Sequence, residues 1–256
     1  SSACRASKVA GVSQFASFDG ARIAYREMGS GRALLLLHGF LSDTQQNWMD
    51  TGIARTLAEA GFRVIAPDLR GHGQSAAPED AASYPPDALA MDQLALIRHL
   101  GLSDFDLVGY SLGARTAMRM LAHGARPRRV VLGGMGESGI TAVAARREFF
   151  RNAIEKGEAA ANPLAGKFIR ARMADRGLKA QALLHVLDQQ VDTPPAVLST
   201  IRTPMLIVSG RDDADNGSAE ELAVLLPLAK AQRISGNHLS AVGPELSAAI
   251  TAFLTA

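Results

Sequence analysis

Phe105-Asp106-Leu107-Val108-Gly109-Tyr110-Ser111-Leu112-Gly113 decides how this chain is read. Residues 105–108 have strand character, and 112–123 has helical spacing. Between them stands Gly-x-Ser-x-Gly. By itself the pattern is weak, because glycine and serine are common in turns. Its place between a strand and a helix makes it strong. So tight a turn forces its apex residue into strained backbone. Flanking glycines remove the β-carbons that would collide there. The Ser111 hydroxyl is then held clear of the sheet. The Leu112 N–H, unpaired at the helix start, is free to meet a developing oxyanion. Ser111 also fits the plainer role of a helix N-cap, and the motifs below weigh against it.

Outward from this segment, short apolar runs alternate with helical spacing. Strands are expected over 21–26, 33–37, 61–68, 105–108, 129–132, 204–209 and 230–234. Helices are expected over 48–60, 86–100, 112–123, 218–226 and 241–254. The run 33–37 shows no polar alternation, as in a strand covered on both faces. The alternation predicts an α/β fold, a mostly parallel sheet with helices on both faces. It stops between 136 and 203, where helical patterns over 143–156, 166–176 and 178–190 follow without a strand. The expected division is an α/β core, 15–135 and 204–256, and a small helical cap insertion, 136–203. Residues 1–14 show no charged-then-apolar leader pattern and are set aside as an N-terminal extension.

A serine hydroxyl is a poor nucleophile at neutral pH and needs a base beside it. Six histidines compete. His99 and His123 fall on helical patterns as solvent-facing residues, His185 lies in the insertion, and His72 sits in a turn. His38 precedes Gly39-Phe40 and reads as a shaper of that loop through backbone hydrogen bonds. His238, in Ser235-Gly236-Asn237-His238-Leu239, follows the last strand, where a strand-end loop can bring an imidazole to Ser111. The acid is expected between serine and histidine in the chain. Asp212, Asp213 and Asp215 compete there; Asp213 is first choice, Asp212 second, and Asp215 an N-cap or loop residue. Such a carboxylate fixes the histidine tautomer and stabilises the imidazolium. A second oxyanion donor is expected from the loop after the strand at 33–37. Gly39 permits close approach, and the Phe40 N–H is the donor that joins Leu112. Gly39, Tyr110 and Leu239 are expected to line a substrate pocket.

Of 256 residues, 47% are hydrophobic and 20% charged, with a net charge of +2, which fits a soluble globular enzyme. No long cationic run supports a nucleic-acid partner, and no early apolar run is long enough for a membrane span. One cysteine, Cys4, excludes an internal disulfide and a cysteine-rich metal site. The expected location is the cytoplasm; a mature secreted chain has the same appearance. The oligomeric state is not legible.

Over 18–254 the chain resembles the α/β-hydrolase fold family, in its serine hydrolase, esterase- or lactonase-like branch. The matching pieces are His38-Gly39-Phe40, Asp68-Leu69-Arg70-Gly71-His72-Gly73-Gln74-Ser75, Gly109-Tyr110-Ser111-Leu112-Gly113, Gly210-Arg211-Asp212-Asp213 and Gly236-Asn237-His238. The resemblance implies that Asp213, three residues after the strand-ending glycine, is the acid. It implies that 68–75 is structural, that Trp48 lies near the pocket, and that 136–203 is the variable cap. It implies cleavage of a small-molecule carboxylic ester by Ser111, His238 and Asp213, with no metal or organic cofactor. Serine at the turn sets the chain apart from the dehalogenase and epoxide-hydrolase branches, which use aspartate. It does not separate esterases from lactonases, carbon–carbon bond hydrolases, amidases or cofactor-free perhydrolases. A noncatalytic ligand receptor on the same fold is the rival from another class. In the insertion, Ile140, Phe149, Phe150, Ile154, Phe168, Met173, Leu183, Leu184 and Val186 read as packing more than pocket lining. Arg146, Arg147, Arg170 and Arg172 read as solvated, with one available to a substrate carboxylate.

Overall fold

The strands expected from the sequence, and one more, form a single sheet in the computed structural model, which describes residues 11–256. They are β1 (Ser13–Ala16), β2 (Arg22–Met28), β3 (Arg32–Leu37), β4 (Phe62–Pro67), β5 (Phe105–Tyr110), β6 (Val130–Gly133), β7 (Met205–Gly210) and β8 (Ala229–Ile234). Across the sheet the order is β1-β2-β4-β3-β5-β6-β7-β8. β1 and β2 run antiparallel to their neighbours, and β4 to β8 form a parallel set with β3 inside it. The additional strand changes one expectation. Ser13 pairs with Tyr25 and Gln14 with Ala24, so both belong to the sheet and not to the N-terminal extension. Of the four β1 residues only Phe15 is buried, so no apolar pattern announced the strand. Cys4 and the other residues before 11 lie outside the described range.

The helices are α1 (Ile53–Glu59), α2 (Ala88–His99), α3 (Leu112–Ala122), α4 (Glu137–Thr141), α5 (Ala144–Lys156), α6 (Pro163–Asp175), α7 (Ala180–Asp188), α8 (Pro195–Leu198), α9 (Ala219–Leu225) and α10 (Pro244–Thr255). The leucine run of β3 shows why they cover both faces. Side chains alternate across a strand. Leu35 and Leu37 join a core with Leu96 of α2, Met118 of α3 and Leu222 of α9. Leu34 and Leu36 join another with Leu57 of α1 and Ile250 of α10. Each such fully buried leucine contributes on the order of 1.5–3 kcal/mol.

The helix expected over 48–60 is in two pieces, a π-helical turn at Gln45–Met49 and α1, parted at Gly52 with φ 76°. The turn puts Trp48 inside the α1–α10 core, where it is 0% exposed. The large indole fills space under the sheet, so Trp48 is not beside the pocket as expected. α6 starts three residues before the expected 166, because Asn162 caps it by accepting from the Ala165 N–H (3.0 Å) and Pro163 follows.

Between β6 and β7 the chain passes through α4 to α8 without a strand. Ile154, Ile169, Met173, Leu183 and Leu187 from α5, α6 and α7 form a small core that takes in Leu41, with Phe40 packed against it. The helical insertion thus closes onto the loop after β3. That loop matters for a topological reason. β3 leads to β4 on one side and its neighbour β5 leads to β6 on the other, so the two connections depart in opposite directions and leave a crevice between the strand ends. Among the described residues, no helix is long and apolar enough to cross a membrane.

Candidate active site

Ser111 stands in that crevice, after β5 and before α3. Its backbone lies at φ 53°, ψ −111°, a strained conformation for a residue other than glycine. A β-carbon at Gly109 would lie 2.3 Å from the Gly113 carbonyl oxygen, and one at Gly113 would lie 2.1 Å from that of Leu37. Only glycine lets strand and helix approach so closely. The Ser111 N–H donates to the Gly133 carbonyl (2.8 Å), and its carbonyl accepts from the Arg115 N–H (3.0 Å). Its hydroxyl makes no capping bond to α3.

The hydroxyl instead meets His238, whose Nε2 lies 2.9 Å from Ser111 Oγ. His238 Nδ1 lies 2.9 Å from Asp213 Oδ2. With Nδ1–H given to the carboxylate, Nε2 turns its lone pair to the serine. The loop that carries His238 is tied down at both flanks. Asn237 Oδ1 accepts from the Leu239 and Ser240 N–H groups (both 3.0 Å), and the Tyr110 hydroxyl donates to the His238 carbonyl (2.7 Å). Asp213 is buried, whereas Asp212 and Asp215 are exposed. Burial works to raise the Asp213 pKa. The His238 hydrogen bond and charge, the Asp215 N–H and Arg146 outweigh it and hold the carboxyl below its usual range. Asp213, Asp215 and His238 offer ligand atoms within 4.8 Å of one another. A cation there would have to displace the His238–Asp213 bond and the Arg146–Asp215 ion pair.

The loop after β3 is held on either side of one free donor. The Gly39 N–H donates to Asn47 Oδ1 (3.0 Å), and the Leu41 N–H donates to His72 Nε2 (3.3 Å). Between them the Phe40 N–H, like that of Leu112, has no hydrogen-bond acceptor among the described residues. Leu41 takes φ 58° to complete the bend. His38 acts as the sequence suggested, accepting from the Leu69 N–H (2.9 Å) and donating to the Gly39 carbonyl (2.8 Å). Burial pushes the pKa of His38 down to about 4 and that of His72 to about 3, so both rings are neutral acceptors. Gly39 permits close approach to Ser111 without being required by crowding. A β-carbon there would make ordinary contacts, 3.6 Å from both Asn47 Oδ1 and Ser111 Cβ. Glycine is not forced by its neighbours; it leaves open the space above the serine. Asn47 and His72 were missed as loop anchors, since they arrive from 8 and 31 residues away.

A cavity of about 380 Å³ opens over Ser111. Gly39, Tyr110 and Leu239 line it, as expected, and Trp48 does not. Phe149, Phe150, Phe168 and Ile169 form its wall on the insertion side. The first three of these are pocket residues where the sequence suggests packing, while Ile140, Ile154, Met173, Leu183 and Val186 are buried, as packing requires. Arg146 and Arg172 are not simply solvated. Arg146 lies 2.6 Å from Asp215 and 4.6 Å above the Phe150 ring. Arg172 donates to the Leu41 carbonyl (3.0 Å) and to Gln46 Oε1 (2.6 Å). Asp215 lines the cavity, and Ser218 is the residue that caps α9.

The family described as alpha/beta hydrolase fold matches residues 32–132. An epoxide hydrolase from Caballeronia sordidicola is 40% identical over 99 residues, 39% of this chain and 29% of that protein. A non-heme haloperoxidase from Rhodococcus erythropolis is 40% identical over 118 residues, 45% of this chain and 41% of that protein. The chain thus spans well under two thirds of the length of these relatives. Solved structures match over nearly all of it. A hydrolase from Pseudomonas aeruginosa PA01 has a TM-score of 0.79 at 25% identity, covering 96% of this chain and 99% of that one. An esterase from Rhodococcus sp. ECU1013 has a TM-score of 0.75 at 25% identity, with the same coverage of both chains. The sheet order, the turn at Ser111 and these matches agree: the chain has the α/β-hydrolase fold.

Proposed function

We propose that the protein is a serine hydrolase that cleaves carboxylic esters through an acyl-enzyme. The observation that carries this reading is the continuous contact from Asp213 through His238 to Ser111, 2.9 Å at each step, at the floor of an open cavity. Ser111 Oγ attacks the ester carbonyl while His238 Nε2 takes its proton, and Asp213 stabilises the imidazolium. The oxyanion meets the free N–H groups of Phe40 and Leu112, a pair of which each member is typically worth about 10²–10³ in rate. The proton on His238 passes to the departing alcohol oxygen. Water then gives a proton to His238 and attacks the acyl-enzyme, releasing the acid and restoring Ser111.

Relatives include an epoxide hydrolase and a fluoroacetate dehalogenase, and the nucleophile separates this chain from that chemistry. A serine attacking an epoxide or haloalkane carbon forms an ether, which water does not release. A serine attacking a carbonyl forms an ester, which water does release. The serine therefore favours a small-molecule carbonyl compound as partner, and a carboxylic ester is the class proposed. A fluorophosphonate probe and a short-chain nitrophenyl ester test the reading. Ser111 carries the label, the ester gives a nitrophenol burst, and Ser111→Ala loses both. A label on a peptide lacking Ser111 contradicts the reading. So does tight binding of one ligand with no turnover of any ester or lactone.

A further inference from the structure

Three charged side chains line the cavity: Arg146, Asp215 and Arg172. Arg146 and Asp215 neutralise each other at 2.6 Å. Arg172 has no carboxylate partner among the described residues. Its two bonds run to neutral oxygens, the Leu41 carbonyl and Gln46 Oε1. The charged groups that act on it are Arg176, Asp43 and Asp175. Asp43 is already engaged by Arg176 at 2.8 Å. Partial burial lowers the Arg172 pKa, which marks a cation stripped of some of its water. A guanidinium has five N–H donors in a planar fork suited to a carboxylate, and neutral acceptors occupy only two here. Leu41, whose carbonyl holds this guanidinium, adjoins Phe40, so one short loop joins the cation to the expected oxyanion donor. The same cavity is lined by the apolar Phe149, Phe150, Phe168 and Ile169.

We infer that this cavity selects esters that also carry a carboxylate across an apolar spacer, with Arg172 receiving that carboxylate. The inference rests on the ester-cleaving reading and names its substrate class. Arg172 is a binding residue for selectivity and takes no part in bond making.

The test compares matched pairs in which only the remote charge differs. 4-Nitrophenyl hydrogen suberate against 4-nitrophenyl octanoate places the carboxylate on the acyl side. The butyrate ester of 4-hydroxybenzoate against phenyl butyrate places it on the alcohol side. The ratio of kcat/KM within a pair is read, because it is independent of the fraction of folded enzyme. In at least one pair the wild type favours the charged ester. Arg172→Gln lowers that ratio by about 10–100-fold, chiefly through KM, as expected for loss of a charge-assisted hydrogen bond. Arg170→Gln removes a charge from the same helix, but Arg170 bonds the Ile154 and Glu155 carbonyls and does not line the cavity; the ratio stays at its wild-type value. The inference is overturned if the wild type favours the neutral ester in both pairs, or if Arg172→Gln leaves the ratios unchanged. Calorimetric binding of the intact suberate and octanoate esters to Ser111→Ala, with and without Arg172→Gln, reads the cation without turnover. An absence of all turnover with an Arg172-dependent preference in binding would sink the hydrolase reading and leave only the carboxylate subsite at Arg172 standing. Turnover without such a preference would do the reverse.

Discussion

On the sheet side of the cavity, Ser111, His238 and the Phe40 N–H sit at the ends of parallel strands. A single added β-carbon at Gly109 or Gly113 would collide with backbone there. On the insertion side, Phe149, Phe150, Phe168 and Arg172 extend from α5 and α6, and their small core rests on a few residues such as Ile154, Ile169 and Leu183. One side is positioned by backbone that cannot move without breaking the sheet. The other is positioned by side chains whose replacement the sheet does not feel. The difference separates chemistry from choice. Changes on the sheet side should slow every substrate alike, and changes on the insertion side should alter the order in which substrates are preferred.

The largest test of that division is Ser111→Ala, for which kcat should fall at least about 10⁴-fold on every ester tried. A panel in which some esters kept their rate would break the division. Next is Asp213→Asn. The amide no longer fixes the histidine tautomer, and kcat should fall by about 10³–10⁴-fold in steady-state assays, again without regard to the acyl group.

A third test concerns stability and the two neutral histidines under the sheet-side loop. Unfolded, each titrates near 6.5; folded, His38 lies at about 4 and His72 at about 3. Between those values the unfolded chain binds more protons. Stability is therefore whole above pH 6.5 and declines as the pH falls below it. The two rings together should cost roughly 4 kcal/mol by pH 5, read from urea midpoints at pH 7 and 5. His72→Gln should remove about half of that slope; an unchanged slope would place the acid sensitivity elsewhere, against the assignment. The smallest effect is expected on the other side of the cavity. Phe150→Ala should shift the ratio of kcat/KM between long and short acyl esters by about 10-fold, the scale of a few methylene groups in an apolar pocket. A uniform loss across chain lengths would show that the insertion shares in the chemistry.

The same division explains what could be read from the sequence. The core strands were legible because β3 carries the unbroken apolar run 33–37 and β5 is apolar but for Asp106, and the turn at Ser111 because its glycines keep fixed spacing about it. His238 and Asp213 followed from their places just after strands. β1 was not legible, since a single buried Phe15 makes no pattern. Trp48, which the family resemblance put near the pocket, is carried under the sheet by a π-helical turn that the helical pattern over 48–60 did not show. Helical spacing in the insertion showed which residues are apolar but not which core they face. Phe149 and Phe150 therefore read like Ile154, although the cavity receives the first two. Asn47 left no signal, and His72 only its place in the structural segment 68–75, because each holds the loop through a hydrogen bond to a distant backbone N–H.

The bond from the Tyr110 hydroxyl to the His238 carbonyl, 2.7 Å long, has a mechanical meaning. It moors the loop that bears the imidazole to the residue just before the serine, so thermal agitation carries proton donor and proton acceptor along together. Because burial raises the phenol's pKa above its ordinary value, this mooring keeps its proton in alkaline solution and holds there as it does at neutrality.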